Sequence, residues 1–347
     1  VTVTGSRNAP DAVDVVALGE SMVTFLPSRP GRLAEVPSFD RAIGGAESNV
    51  ACVLAAAGHT ARWVSRVGAD GFGQHLVERI AGYGVDVSSI PRDPARPTGI
   101  YFRTAGDRGT GAHEVAYYRA GSAASAMSVT NVDLTAVRAG RVLHLSGITA
   151  ALSDDCRALL HTLTAPHPGR PLLSFDVNHR PGLWRTAQGP LVLLDLARRA
   201  DVVFVGEDEA EEAWGVTGGP EAIREALPEP AVLVVKQGAR GATAFARESS
   251  AFEPALHVDV VATTGAGDAF AAGFLSGTLR GLPPAARLRH GHLFAAAALA
   301  TPGDLAPPPA RDHADRLTAL NDTAWGRLRL GPGWTQAERA TEEANTP

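Results

Sequence analysis

The stretch richest in chemistry is Thr263-Thr264-Gly265-Ala266-Gly267-Asp268-Ala269-Phe270-Ala271-Ala272-Gly273-Phe274. A glycine-rich turn runs straight into a helix-forming segment whose small residues, Ala269, Ala272, Gly273 and Gly277, permit close packing. The backbone amides of Gly265, Ala266 and Gly267 would then point outward at the positive end of a helix dipole, which suits phosphate oxygens. Asp268 stands at the same helix start. A carboxylate there repels a bare phosphate, but it has a use if it orients an attacking hydroxyl and takes its proton. An Asp at a helix start is also a common N-cap, and the residue alone does not separate the two roles. A dinucleotide fingerprint is disfavoured because the sixth position from Gly265 is Phe270, where close helix packing wants Gly or Ala. A P-loop is excluded, since Gly-x-x-x-x-Gly-Lys-Ser/Thr occurs nowhere.

A second constellation lies early in the chain, at Gly44-Gly45-Ala46-Glu47-Ser48-Asn49. Adjacent glycines let backbone approach a ligand closely, and Asn49 offers both a donor and an acceptor to a hydroxyl-rich molecule. A loop followed by an ordinary helix start fits the same residues.

The elements that must position these groups follow from apolar patterning. Strand-like runs recur at Val13–Leu18, Arg62–Val67, Val142–Ser146, Leu172–Val177, Val202–Val205 and Val232–Lys236, several of them nearly continuous in Val, Leu and Phe. Helical patterns lie between them, at Glu47–Ala57, Phe72–Tyr83, Asp154–Leu163, Pro190–Arg199 and Ala269–Leu279. This alternation predicts an α/β fold with a mostly parallel sheet and helices on both faces. Thr98–Arg103 and Glu114–Arg119, joined across Ala105–His113, predict a hairpin. With Val23–Phe25 and Glu35–Ile43 it would form a small separate sheet, a lid over one end of the domain. One domain over 13–320 is expected, with lid segments at about 20–43 and 97–121 and loosely ordered tails at 1–12 and 325–347.

Composition removes several classes of function. With 37 acidic and 32 basic side chains among 347 residues the formal charge is -5, so no basic field invites nucleic acid. Cys52 and Cys156 are far apart and lack metal-ligand spacing, which predicts buried thiols in a reducing compartment. The absence of a long apolar run or a leader-like N-terminus predicts a cytoplasmic protein with no membrane partner.

Gly265-Ala266-Gly267-Asp268 opening a late helix, with Gly44-Gly45 early in the chain, resembles the signature of the ribokinase-like, or PfkB, carbohydrate kinases. The resemblance covers about residues 13–310. It implies a central sheet flanked by helices and a small β-sheet lid over the sugar, with Asp268 as catalytic base and Gly265, Ala266 and Gly267 as the anion hole. It also implies ATP with Mg2+, the metal held mainly by phosphates and water without a direct protein ligand. Lys236-Gln237-Gly238-Ala239-Arg240-Gly241 resembles the family's strand and turn beside the nucleotide, so Lys236, Gly238 and Gly241, with Thr264, are expected there. Asp176, Asn178 and Glu209 would orient metal water or phosphate, although Asp176 and Asn178 would equally serve to tie down a strand end. Two departures stand out. Ala262 occupies a position where the family commonly carries Asp near a monovalent cation, which leaves potassium activation open. Gly206 replaces the amide of an Asn-x-x-Glu pattern that ends at Glu209.

Pro97-Thr98-Gly99-Ile100-Tyr101, Tyr117-Tyr118-Arg119-Ala120-Gly121-Ser122 and Asp176-Val177-Asn178-His179-Arg180 resemble the 2-dehydro-3-deoxygluconate kinases in particular. By that resemblance Gly44, Gly45, Asn49, Tyr101, Tyr117, Arg119 and Arg180 would surround a sugar acid. Two arginines in one pocket suit a carboxylate, while Arg119 on the surface or the tyrosines in lid packing remain alternatives. A kinase of a neutral sugar such as fructose or ribose is the second reading, and a sugar-binding protein without catalysis the third. Alternation of Ile100 and Phe102 with Tyr101 and Arg103 gives the lid one polar and one apolar face, which predicts a homo-oligomer joined through the lids.

Overall fold

Strands that are apolar on both faces need cover on both sides, and the fold follows from that need. The computed structural model describes residues 12–104, 114–184, 188–246 and 249–336. The chain opens with β1 (Val13–Leu18), leaves for β2 (Met22–Pro27) and β3 (Phe39–Gly44), and returns through the helix Ala46–Ala56 to β4 (Ala61–Val64). The short strands β5 (Val67–Gly68) and β6 (Arg92–Asp93) bracket the helix Gly71–Ala81, and the hairpin β7 (Ile100–Arg103) and β8 (Val115–Tyr118) follows. Then β9 (Gly140–Ser146), β10 (Leu172–Asp176), β11 (Val202–Gly206) and β12 (Val232–Lys236) alternate with helices. β13 (Gly241–Ala246) and β14 (Ser249–Pro254) run antiparallel, and β15 (His257–Val258) pairs with β16 (Arg329–Leu330).

The main sheet has the order β14-β13-β12-β11-β10-β9-β1-β4, parallel from β12 to β4. Val15, Val142, Phe204 and Val234 face a layer that includes the helices Ala266–Leu279 and Pro284–Leu299. Val16, Leu143, Val203 and Leu233 face the opposite layer, as the period of two requires. The small residues noted in the sequence have a packing role in the first layer. A Cβ on Gly273 would lie 2.4 Å from the His290 carbonyl oxygen, so only glycine lets these two helices approach as they do. Register decides where chemistry can sit: Ser146 lies opposite Asp176, and Gly206 opposite Lys236. The polar ends of these parallel strands therefore share one edge of the sheet, the carboxyl edge where open α/β sheets hold ligands.

The lid is a four-stranded sheet of order β3-β2-β7-β8. On its apolar face Phe102 stacks on Phe25 at 4.7 Å, and Phe72 from the helix Gly71–Ala81 meets Phe25 edge-on at 5.8 Å. The apolar face is thus covered in part within the chain, with Phe25, Phe39, Ile100 and Phe102 half-buried, while Tyr101 and Arg103 point the other way. The expected connection Ala105–His113 lies outside the described residues apart from its flanks. Among the described residues no helix is long and apolar enough to cross a membrane.

The C-terminal segment differs from the expectation of a loose tail from residue 325. Trp325 is fully buried and its Nε1 donates to the Pro254 carbonyl at 3.1 Å. Arg289 lies 5.0 Å over the indole and bonds Glu253 at 2.7 Å and Asp322 at 2.6 Å. Leu330 is buried where β16 meets β15. Two isolated apolar anchors in a Gly- and charge-rich segment produce no periodic signal, which is why composition suggested disorder. Residues 1–11 and 337–347 of the two expected tails lie outside the described residues. Trp325→Ala should destabilise the protein by about 3–5 kcal/mol, the usual loss for a buried aromatic. A thermal unfolding midpoint equal to that of the parent would show that the segment is not fastened.

Candidate active site

The helix that carries Asp268 begins three residues earlier than the pattern predicts, at Ala266, and its N-cap is Gly265 with φ 79°. Asp268 is therefore not the cap. Gly265 is required twice, by its left-handed backbone and because a Cβ there would lie 2.1 Å from the Asp304 carbonyl oxygen. The amides of Gly265 and Gly267 have no hydrogen-bond partner among the described residues, as expected at a helix start. The Ala266 amide instead turns back to the Thr263 carbonyl at 3.4 Å.

Asp268 accepts a 2.8 Å hydrogen bond from Asn49 Nδ2, which joins the two constellations across 219 residues. Burial, opposed by that bond and reinforced by the charge of Asp176, pushes the Asp268 carboxyl from 3.8 up to about 7. It still keeps some surface towards the cleft. A carboxylate poised near neutrality can accept a proton from a hydroxyl and release it afterwards. Asn49 is buried, and its Oδ1 has no partner. Lys236, at the end of β12, places Nζ 3.2 Å from each oxygen of Asp176 and 3.8 Å from where a Cβ on Gly267 would lie. Burial would depress the ammonium, but Asp176 and Glu209 hold it above its ordinary value, so it stays charged beside the anion hole.

The glycine pair also has a packing use within the protein. A Cβ on Gly44 would lie 2.3 Å from the Tyr101 hydroxyl, and one on Gly45 would lie 2.4 Å from the Glu20 carbonyl oxygen. These glycines admit protein atoms of the lid and of the segment after β1. Tyr101 is buried and donates to Asp304 Oδ2 at 2.6 Å, while Tyr117 is half exposed with its ring 5.4 Å from that of Tyr101.

Arg119 and Arg180 do not form one pair of free cations. Arg119 Nε donates at 2.7 Å to Glu20, which is buried and also accepts from Ser122 Oγ at 2.5 Å. Arg180 is 54% exposed, with Nη1 at 2.8 Å from the His179 carbonyl and 3.6 Å from Glu209 Oε1. Glu209 also accepts from the Gly206 amide at 2.7 Å, closing the start of its own helix. Asn178 is the one non-glycine residue with positive φ among those described, at 41°, and its buried Oδ1 has no partner. Strain together with an orphaned acceptor is characteristic of a site that waits for a ligand. Gly238 (φ 58°) and Gly241 (φ 142°) shape the turn after β12, where Arg240 pairs with Glu207. Thr264 Oγ1 accepts from Arg103 Nη1 at 3.0 Å.

Two residues of this cleft, Glu20 and Asp304, escaped the sequence reading, and Arg103 entered it only as part of the polar face of the lid. Glu20 follows β1 at the carboxyl edge, and that position is a signal that could have found it. Asp304 sits in a Pro-Gly turn without any motif, and its contacts come from residues about 200 positions away.

The sequence profile of pfkB family carbohydrate kinases matches residues 12–311. A 2-dehydro-3-deoxygluconokinase of Thermoproteus tenax is 36% identical over 91% of this chain and 98% of its own length. One of Bacillus subtilis is 36% identical over 86% of this chain and 94% of its own. The crystal structure of a PfkB protein from Polaromonas sp. JS666 superposes with a TM-score of 0.77 at 32% identity, covering 89% of this chain and all of the other. With the glycine-capped helix, the buried Asp268 and the β-sheet lid in their places, the chain belongs to the pfkB family of carbohydrate kinases.

Proposed function

We propose that this kinase transfers the γ-phosphoryl group of ATP to a hydroxyl of a 2-keto-3-deoxy sugar acid, 2-dehydro-3-deoxy-D-gluconate giving its 6-phosphate. The observation that carries the reading is Asp268, held by Asn49 beside two free helix-start amides and Lys236. A sugar hydroxyl hydrogen-bonded to Asp268 would lose its proton to that carboxylate as its oxygen attacks phosphorus. The Gly265 and Gly267 amides and Lys236 would take up charge on the phosphoryl oxygens. Bound with ATP, magnesium would neutralise phosphate charge, and Asp176, Asn178 and Glu209 are the groups suited to its waters. Gly238 and Gly241 would shape the turn against the nucleotide.

The acid is supported by the two relatives named above and by the cations near the cleft. Arg180 is the more available of the two, since Glu20 already balances Arg119. Arg119 would contribute direction to Tyr117 and the sugar, through the edge that Glu20 leaves open, more than net charge. Two free, buried thiols, Cys52 and Cys156, and the use of ATP support a cytoplasmic setting.

Asp268 gives a double test. The base works deprotonated, so kcat/KM should rise with pH and level off above about 7. Asp268→Asn should lose roughly 10²–10⁴-fold in kcat with little change in ATP binding. Stability carries its own sign. The folded state raises this pKa, so the contribution of Asp268 is fully present below its ordinary value of 3.8 and is lost as pH rises through about 7. Asp268→Asn should therefore melt above the parent at pH 8, with the gap narrowing towards pH 5. Retained activity in the variant would exclude Asp268 as the base.

Arg180→Ala should raise KM for the sugar acid about ten-fold, or 1.4 kcal/mol, while leaving any turnover of fructose or ribose alone. Arg119→Ala should lower stability by about 3–5 kcal/mol because it strands Glu20 in the interior. Preference for a neutral sugar in the parent enzyme, unchanged in Arg180→Ala, would replace the acid by that sugar and leave the kinase intact.

Assembly through the lids is supported by β8, an edge strand with Tyr117 and Tyr118 at 52% and 64% exposure. Light scattering at micromolar concentration should give a dimer, and Tyr118→Lys should weaken it. A monomeric parent protein would rule the lid interface out.

A further inference from the structure

We propose that Arg103 is a positioning residue for phosphoryl transfer, a clamp from the lid sheet onto the two loops, 263–267 and 301–306, that form the floor of the cleft. The inference rests on the kinase reading above. Arg103 ends β7, on the same face as Tyr101 two residues earlier. Its Nη1 donates to Thr264 Oγ1 at 3.0 Å and its Nη2 to Asp304 Oδ1 at 2.9 Å, while Tyr101 takes the other Asp304 oxygen. One lid strand thus engages both oxygens of a carboxylate from one loop and the hydroxyl that precedes the anion hole in the other.

The loops beneath are themselves in contact. The Asp304 carbonyl occupies the space where Gly265 would carry a Cβ, and the Asp304 carboxylate lies against Gly44. A shift of the lid strand therefore reaches the anion-hole glycine directly. Stability does not account for the arrangement. Arg103 and Asp304 side chains are only 11% and 4% exposed, and a buried ion pair rarely gains over an apolar pair of the same volume. Arg103 Nε is buried with no partner among the described residues, a further cost. What the clamp supplies is position. It holds the lid over the acceptor while the bond between the γ-phosphorus and the ADP oxygen breaks and one to the sugar oxygen forms, with the hydroxyl proton going to Asp268. Water is the competing acceptor whenever the lid stands away.

The test compares Arg103→Met with Arg103→Lys. In Arg103→Met, kcat for sugar phosphorylation should fall about ten-fold or more, with KM for ATP changed by less than about two-fold. ADP released per sugar phosphate formed should rise above one, and Arg103→Lys should restore part of both. Hydrogen exchange in the protein alone should quicken together over 97–104 and 263–268 in Arg103→Met. That arm reads the clamp even if the acceptor is not a sugar acid, which would show instead as a parent enzyme inactive on sugar acids. Unchanged kcat and an unchanged ADP-to-product ratio in Arg103→Met overturn the proposal. Should Arg103→Met fail to fold, Asp304→Asn keeps the shape and removes the charge, and an unaltered ratio in that variant overturns it equally.

Discussion

Burying a carboxyl group is unfavourable even beside amides that attract anions, and much of the cleft can be understood as what keeps Asp268 there. Left alone in an apolar environment it would take up a proton and lose its use as a base; fully solvated it would be too weak a base near neutrality. Asn49 donates to it, Lys236 places positive charge nearby, and Asp176 and Asp304 push the other way. The result is a group balanced at about 7. The balance depends on elements far apart in sequence: the first helix after the lid strands, the ends of β10 and β12, and the turn after the helix Pro284–Leu299.

The charges around this group follow a rule. Lys236 is matched by Asp176, Arg119 by Glu20 and Arg103 by Asp304, each pair holding two different elements together. Pairing of this kind leaves little net charge in the pocket, so a ligand is selected by geometry and by directed donors more than by attraction at a distance. Arg180, more exposed and only loosely approached by Glu209, is the exception, and it has more charge left to offer a ligand than Arg119.

What the sequence disclosed and what it hid divide along physical lines. Strands buried on both faces announce themselves as Val, Leu and Phe runs, and a glycine turn into a helix of small residues marks a close helix contact as well as an anion site. Both signals are local. The start of the Asp268 helix was misjudged because Gly265 and Gly267 are poor helix formers whose placement is decided by Asp304 and the adjoining strand ends. Glu20 and Asp304, and the partner of Arg103, were hidden because the pairings join residues about 100 or 200 positions apart, and no periodicity encodes such a pairing. Trp325 was hidden for the opposite reason, being a single anchor in a segment whose average composition suggests solvent.

The glycine pair at 44 and 45 joins the lid sheet to the helix that carries Asn49 through the backbone. Gly44 is the last residue of β3 in the lid, and the helix that carries Asn49 begins at Ala46. Only Gly45 separates the lid sheet from the helix whose Asn49 holds Asp268. Side chains at either glycine would collide with Tyr101, Asp304 or the backbone of Glu20, so only glycines let those groups pack against the joint. Lid and base therefore cannot be moved independently. A displacement of β3 is carried to Asn49 through one residue, and a displacement of β7 is carried to Gly265 through Arg103 and Asp304. The two routes meet at Asp268, one through the Asn49 hydrogen bond and the other through the cap of its own helix.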